Sequence, residues 1–222
     1  MQGRILIIAA HPDDGVLGCG GTIARLVKQG REVALLVVTS AYTPDWSKEY
    51  VENQKKEVQA SNKILGIART TFLDFPAVKL DMVSQKKLND SLLEVVSEFK
   101  PDTIYVPHKG DLNRDHRIVF EATLVAARPV SGRVKSIFSF STMESGFMVE
   151  PFIPNVYIDI SDTFDIKLEA VKAYESEVRP YPHPRSPEVI RALAQKWGSE
   201  SGLGMAEAFI LVRGTIDRQD RL

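Results

Sequence analysis

Residues 4–14 read RILIIAAHPDD, in which an apolar run passes directly into a histidine, a proline and two adjacent aspartates. Consecutive apolar residues at 5–10 predict a strand over 4–10 that is covered on both faces, as in a parallel sheet. Two neighbouring carboxylates repel each other, and partial burial makes each of them costly to ionise. A bound metal ion would offset both effects, so the end of this strand is a candidate metal site.

Strand and helix patterns alternate four times up to residue 127, which predicts βαβ units in a parallel, doubly wound sheet. Ser161 and Ser186 are predicted to cap the last two helices, and Pro187, which directly follows Ser186, is predicted to be the first residue of the last helix. The predicted strands are 4–10, 33–39, 70–75, 103–107, 134–140, 155–160 and 205–213, and the predicted helices are 16–29, 47–65, 82–99, 114–127, 162–176 and 187–197.

The composition limits the function classes that fit the chain. A length of 222 residues suits a single domain over 1–222, and a formal net charge of −1 gives no general attraction to nucleic acid or to an anionic membrane. The single cysteine, Cys19, excludes an internal disulfide and is expected to be a small buried packing residue. The apolar run at 5–10 is too short for a signal-peptide core, and no other segment approaches membrane length, so we expect a cytoplasmic protein.

A stiff segment, RPYPHPRSP, occupies residues 179–187 and contains four prolines. We expect this proline-rich segment to form a stiff surface loop, and it is a candidate lid beside a functional site. His183 lies near its centre, and Arg179 and Arg185, which lie on either side of its first three prolines, are candidates for binding a substrate phosphate.

Two unusual segments follow predicted strands, at the sheet edge where ligands of open α/β proteins bind. AHPDD at 10–14 follows the first strand, and HKGDLNRDH at 108–116 follows the fourth. Together they hold three of the four histidines and four aspartates, namely His11, His108, His116, Asp13, Asp14, Asp111 and Asp115.

Three of these residues form a candidate ligand set for a catalytic metal. Zinc in such sites takes three His or Asp/Glu ligands and keeps one position for water, and His11, Asp14 and His116 supply that set. Asp13 would then stay free beside the water as a general base. Taken singly, the Asp13–Asp14 pair would more often be a helix cap, and the DH pair at 115–116 would more often lie on the surface. Their joint placement after two parallel strands favours the metal site.

A rival motif, GCGGTI at 18–23, resembles a dinucleotide-binding loop. Its third glycine is replaced by Ile23, and HPDD puts negative charge where a pyrophosphate would bind. The second strand ends in VVTS at 37–40, which has no acidic residue for a ribose. The motif therefore argues against a dinucleotide-dependent oxidoreductase, and its glycines are expected to allow close packing of helix on sheet.

AHPDDGVLGCGGTIARL at 10–26, the DH pair at 115–116 and AEAF at 206–209 together resemble the LmbE-like (PIG-L) family of zinc-dependent de-N-acetylases. The resemblance extends from residue 5 to about 213. It implies an α/β, Rossmann-like three-layer fold with a mostly parallel central sheet. It also implies hydrolysis of the N-acetyl group of an N-acetylglucosamine-type glycoside, glycolipid or nucleotide sugar, and a tendency to form homo-oligomers.

The resemblance also implies roles for individual residues. His11, Asp14 and His116 become the ligands of Zn²⁺, although Fe²⁺ or another divalent ion suits the same donors. Asp13 becomes the general base, and Asp115 orients neighbours of the metal. Glu207 of AEAF is expected to pack or to support the pocket.

The chain departs from the family pattern at one catalytic position. Many members carry HxDH, whereas this chain has NRDH, so Asn113 replaces the first histidine. Asparagine donates a hydrogen bond to an oxyanion but supplies no proton at neutral pH, so we expect Asp13 to act first as base and then as acid. The substitution also supports an alternative hypothesis, a catalytically degenerate protein that binds metal and a sugar or nucleotide without turnover.

Four further residues are candidates for binding substrate: His108, Asp111, Arg114 and His183. For His108 the alternative is a loop histidine bonded to backbone, and for Arg114 it is a solvated arginine at a helix start.

Overall fold

The protein is described by a computed structural model, which covers residues 3–129, 134–142 and 148–216. Among the helices of these ranges, none is both long and apolar enough to cross a lipid bilayer. The strands are β1 (Arg4–Ala9), β2 (Glu32–Ser40), β3 (Arg69–Pro76), β4 (Thr103–Pro107), β5 (Ser136–Phe140), β6 (Val156–Asp159) and β7 (Ala206–Gly214). The helices are α1 (Asp14–Lys28), α2 (Lys48–Leu65), α3 (Gln85–Phe99), α4 (Arg114–Ala126), α5 (Phe164–Lys172) and α6 (Pro187–Ser201), with a 3₁₀ turn at Leu80–Met82.

The strands form one sheet in the order β3-β2-β1-β4-β5-β7-β6. The first five strands of that order are parallel, whereas β7 runs antiparallel to both of its neighbours, β5 and β6. The predicted α/β fold with a mostly parallel central sheet is confirmed. Because β1 pairs with β2 on one side and β4 on the other, the chain reverses its direction of winding at β1, which creates a crevice at the carboxyl ends of β1 and β4.

The unbroken apolar run of β1 is explained by two cores on opposite faces of the sheet. Ile5 and Ile7 face one core, which includes residues of α1, α2, α5 and α6. Leu6 and Ile8 face the other core, which includes residues of α3 and α4. Since both faces are covered, an alternating polar pattern would put polar groups into one of the cores.

Several predicted helix boundaries are displaced by a few residues. The predicted helix over 162–176 begins only at Phe164 and ends at Lys172, and Thr163 rather than Ser161 is its N-cap residue. The Ser161 hydroxyl instead donates to Asp159 Oδ1 over 2.6 Å and accepts from the Met205 N–H over 3.1 Å, so it joins the end of β6 to the start of β7. By contrast, Ser186 caps α6 as predicted, accepting from the Val189 N–H over 3.2 Å.

The glycines of the GCGGTI motif permit close packing, as predicted. A Cβ atom on Gly18 would lie 2.1 Å from the ring of Phe140, and one on Gly21 would lie 2.8 Å from Ile160. Both distances are far below van der Waals contact, so any larger residue would push α1 away from the sheet.

A buried ion pair bridges a break in α1. The helix is kinked at Cys19, whose backbone has φ −146° and ψ 23°, and which is fully buried as expected. Glu207 accepts hydrogen bonds from the buried backbone amides of Gly21 and Thr22 over 2.9 and 2.7 Å. Lys167 donates to Glu207 over 2.6 Å and to the Leu17 carbonyl over 2.8 Å. Glu207 therefore supports the helix that carries the AHPDD segment, in line with its predicted supporting role.

Candidate metal centre

Three polar side chains converge in the crevice between β1 and β4. His11 lies just beyond the end of β1, Asp14 is the first residue of α1, and His116 lies in the first turn of α4, which follows β4. His11 Nδ1 lies 3.1 Å from His116 Nε2 and 3.7 Å from Asp14 Oδ2, and His116 Nε2 lies 3.3 Å from Asp14 Oδ1. One ligand atom from each residue therefore lies within 4.8 Å of the other two.

This arrangement fits a metal ion. Tetrahedral zinc with metal–ligand bonds of about 2.0–2.1 Å holds its ligand atoms roughly 3.3 Å apart, close to the separations found here. The two imidazole nitrogens that face each other across 3.1 Å both have a lone pair when neutral, and a cation between them would satisfy both. Two imidazoles and a carboxylate suit zinc and Fe²⁺ alike.

The outer nitrogen of each histidine contacts a further aspartate. His11 Nε2 lies 3.3 Å from Asp115 Oδ2, and His116 Nδ1 lies 3.0 Å from Asp111 Oδ2. Carboxylates in this position fix the tautomer and orientation of metal-binding histidines. The sequence predicts that Asp115 orients neighbours of the metal and that Asp111 contacts substrate. In the structure both aspartates lie against a histidine of the ligand cluster.

Asp115 also anchors the segment that follows β3. Its carboxylate accepts the Val78 N–H over 2.6 Å and the Leu80 N–H over 3.2 Å. Val78 has φ 61°, an unfavourable conformation for a β-branched residue. The hydrogen bond from Val78 to Asp115 helps to hold this strained residue beside the histidines.

The charged groups of the centre shift one another's pKa values. Burial disfavours protonation of His11, but its contacts with Asp115 and Asp14 outweigh burial and raise its pKa to about 9. Burial opposes the charge on His116 as well, yet Asp14 and Asp111 raise its pKa to about 10. Burial alone would raise the pKa of Asp14, but the two imidazolium groups lower it well below its usual range. Without a metal, protons therefore supply the positive charge that these carboxylates demand.

Asp13 lies outside the ligand cluster and pairs with an arginine. Its Oδ2 lies 3.1 Å from Nη2 of Arg185, which belongs to the proline-rich segment. Arg185 also contacts Glu177, and Glu177 accepts a 2.5 Å hydrogen bond from the Tyr50 hydroxyl. Arg185 was expected to bind substrate phosphate, but the structure directs its guanidinium at the carboxylate beside the ligand cluster.

Asn113 is the N-cap residue of α4. Its side-chain oxygen accepts the Asp115 N–H over 3.0 Å, and its own N–H donates to Asp111 Oδ1 over 2.8 Å. The side-chain amide group remains the part of Asn113 suited to donate a hydrogen bond to a substrate. Asn113 thus links the two aspartates that contact the histidines.

The other three candidates have partners of their own. His108 is buried, with Nε2 3.3 Å from the Glu150 carbonyl, which matches the interpretation of a loop histidine bonded to backbone. Burial lowers its pKa. Arg114 is exposed and pairs with Asp81 over 3.0 Å, and His183 accepts the Arg185 N–H over 3.1 Å within the proline-rich segment.

The chain is similar to a known family and to several deacetylases. Residues 6–127 match the family described as GlcNAc-PI de-N-acetylase, PIG-L. The chain is 32% identical over 181 residues to the uncharacterized deacetylase YaiS of Escherichia coli K12, covering 78% of this chain and 90% of that protein. It is 28% identical over 228 residues to the diacetylchitobiose deacetylase of Thermococcus kodakarensis, covering 95% of this chain and 84% of that protein.

Among solved structures, the conserved protein TT1542 from Thermus thermophilus superposes with a TM-score of 0.80 at 27% identity, covering 99% of this chain and 100% of that one. The family match spans more than half of the 222 residues and includes AHPDD and the DH pair. The chain is a member of the PIG-L (LmbE-like) family.

Proposed function

We propose that this protein is a metal-dependent hydrolase that removes the N-acetyl group from an N-acetylglucosamine-type sugar and releases acetate and a free amine. The observation that carries the proposal is the convergence of His11, Asp14 and His116 beside Asp13 in the β1/β4 crevice. Its relative from Thermococcus kodakarensis is a diacetylchitobiose deacetylase, which supports a small amino-sugar substrate.

In this proposal the ligand cluster holds zinc, or another divalent ion of similar preference. When bound, the metal supplies Lewis acidity that polarises the acetamide carbonyl and acidifies the attacking water. Asp111 and Asp115 keep the two imidazoles oriented toward the ion through their outer nitrogens.

Asp13 and Asn113 carry out the remaining steps. Asp13 accepts a proton from the attacking water as the new C–O bond forms, and Arg185 holds its carboxylate in place. The Asn113 side-chain amide donates a hydrogen bond to the carbonyl oxygen as negative charge develops there. Asp13 then returns its proton to the nitrogen as the C–N bond breaks, which yields acetate and the amine.

The test is acetate release from a panel of N-acetylglucosamine compounds: diacetylchitobiose, the free sugar, an inositol glycoside, a malate glycoside and a nucleotide sugar. Each compound is measured with protein as purified, after chelation, and after zinc is restored. We expect release from at least one compound, loss of release on chelation and recovery with zinc.

Release that survives complete removal of metal would contradict the proposal. The alternative, a binding protein without turnover, predicts one tightly bound metal ion and silence across the panel. The intact set of three ligands together with Asp13 favours the enzyme.

A further inference from the structure

An apolar pocket lies close to the ligand cluster. It has a volume of about 210 Å³ and lies between α1, α6 and the start of β7. Its walls include apolar side chains from each of these elements and from the segment before β6, among them Leu17, Phe152, Ile190, Leu193, Trp197 and Ala208.

The pocket begins within one helical turn of the proposed metal site. Leu17 follows Asp14 by three residues on α1, a rise of about 4.5 Å along the helix, and its N–H donates to the Asp13 carbonyl over 3.1 Å. Elsewhere in the pocket wall, the ring of Phe152 lies 5.2 Å from that of His108, the residue that follows β4. A group attached to a sugar at the metal centre therefore has a neighbouring apolar surface.

The lining suits an uncharged group. Lys167 and Glu207 also border the pocket, but both are only 4% exposed. Lys167 donates to Glu207 and to the Leu17 carbonyl, while Glu207 accepts two backbone amides. Their charges are thus compensated within the fold, and an ionic substituent would have to compete with these bonds.

The aromatic residues favour a hydrocarbon or aryl occupant. Phe152 and Trp197 meet edge to face, with ring centroids 6.4 Å apart at 67°, and both side chains are half-buried. Binding of an apolar group to aromatic and aliphatic walls is favourable, because it removes apolar surface from water. Pockets of this composition are typical of small-molecule sites.

We propose that this pocket binds the apolar aglycone, an alkyl or aryl group, of the amino-sugar substrate. The inference rests on the proposed function for the identity of the sugar. It narrows the substrate class to glycosides with an uncharged apolar group next to the sugar, and disfavours malate glycosides and nucleotide sugars.

Binding is tested without catalysis by using hexyl β-D-glucoside, which has no acetamide to hydrolyse. The chain has two tryptophans, so Trp46→Phe leaves Trp197 as the sole indole reporter. In this background we expect hexyl glucoside to shift the Trp197 emission to the blue, with saturation. Methyl glucoside should bind roughly tenfold or more weakly, because it buries several fewer methylene groups.

Two matched variants locate the binding. Ala194 is a buried pocket residue on α6, whereas Ala192 is an exposed residue of the same helix. Ala194→Phe should abolish the shift by filling the pocket, and Ala192→Phe should leave it unchanged. If Ala194→Phe fails to fold, Leu193→Glu provides a charged replacement at a half-buried wall position and should likewise abolish the shift.

The proposal is overturned if hexyl and methyl glucosides give the same response, or if the shift persists in folded Ala194→Phe protein. Acetate release is then compared for hexyl and methyl N-acetylglucosaminides. A saturable emission shift with no acetate release from either glycoside would contradict the proposed function and keep the pocket. Acetate release from both glycosides at equal kcat/KM, with no emission shift, would contradict the pocket proposal and support the proposed function.

Discussion

Arg185 Nη2 lies 3.1 Å from Asp13 Oδ2, although Arg185 lies outside residues 6–127, the part of the chain that matches the family. The proposed general base is therefore held by a residue of the proline-rich segment. Both side chains are largely buried, with 19% of Arg185 and 9% of Asp13 exposed, so the pair is shielded from solvent.

Replacing Arg185 is expected to impair turnover while leaving the metal bound. Arg185→Ala should lower kcat by about 10- to 100-fold, since a small displacement of a catalytic group has an effect of that size. Added guanidinium should restore part of the activity, and metal content should not change. Arg179→Ala is the control, because the Arg179 guanidinium donates to the nearby backbone carbonyls of Ser176 and Val178. Equal losses in both variants would contradict a specific role for Arg185.

Asp111 is expected to tune metal affinity. Asp111→Asn should weaken zinc binding by about 10- to 100-fold in a chelator competition assay, because its contact orients His116. Asp81→Asn, at an aspartate that pairs with Arg114 on the surface, should leave zinc affinity unchanged. If Asp111 were instead a substrate contact, its replacement would raise KM and leave zinc affinity intact.

The buried Lys167–Glu207 pair is expected to matter greatly for stability. Glu207→Leu leaves a buried lysine without its carboxylate, and should lower the free energy of unfolding by about 3–5 kcal/mol. Lys172→Ala removes an exposed pair with Glu169 and should cost about 0–1 kcal/mol. Urea unfolding measures both. A loss below about 1 kcal/mol for Glu207→Leu would show that the pair does not stabilise the kinked helix.

Stability should depend on pH in opposite ways with and without metal. In metal-free protein the pKa values of His11 and His116 are raised from 6.5 to about 9 and 10. The stabilisation that follows is complete below about pH 6.5 and is lost as pH rises through those values, so metal-free protein should weaken between about pH 7 and 10. Metal binding needs neutral imidazoles, so zinc-loaded protein should gain stability over the lower part of that range.

Thermal unfolding at several pH values, with and without zinc, measures these slopes. His183→Gln should retain them, because His183 is exposed and lies in the proline-rich segment. Replacement of both His11 and His116 by Gln should flatten the metal-free slope. Parallel slopes for metal-free and zinc-loaded protein would contradict the assignment of these two histidines.

The parts of the fold that sequence analysis predicted well are those specified by local pattern. The run at residues 4–10 predicts a strand covered on both faces, and the HPDD and DH segments follow two strands that are adjacent in the sheet. Because HPDD directly follows β1 and the DH pair lies in the helix after β4, the sequence predicts that His11, Asp14 and His116 lie at the same edge of the sheet.

The contacts that were missed depend on tertiary structure. Arg185 reaches Asp13 because α5 and the proline-rich segment fold back over α1, which no local pattern specifies. Asp111 turns toward His116 through the loop before α4. Ser161 has the residue type of a helix cap, but its hydroxyl bonds Asp159 and the start of β7, and the helix begins later.

The most direct test of the central claim compares Asp13→Asn with His116→Ala, measuring bound metal and acetate release from the best substrate of the panel in the same samples. We predict that Asp13→Asn keeps about one metal ion per chain and loses about 10²- to 10⁴-fold in turnover, whereas His116→Ala loses the metal and the activity together. Near wild-type turnover in metal-loaded Asp13→Asn protein would contradict the assignment of Asp13 as the general base.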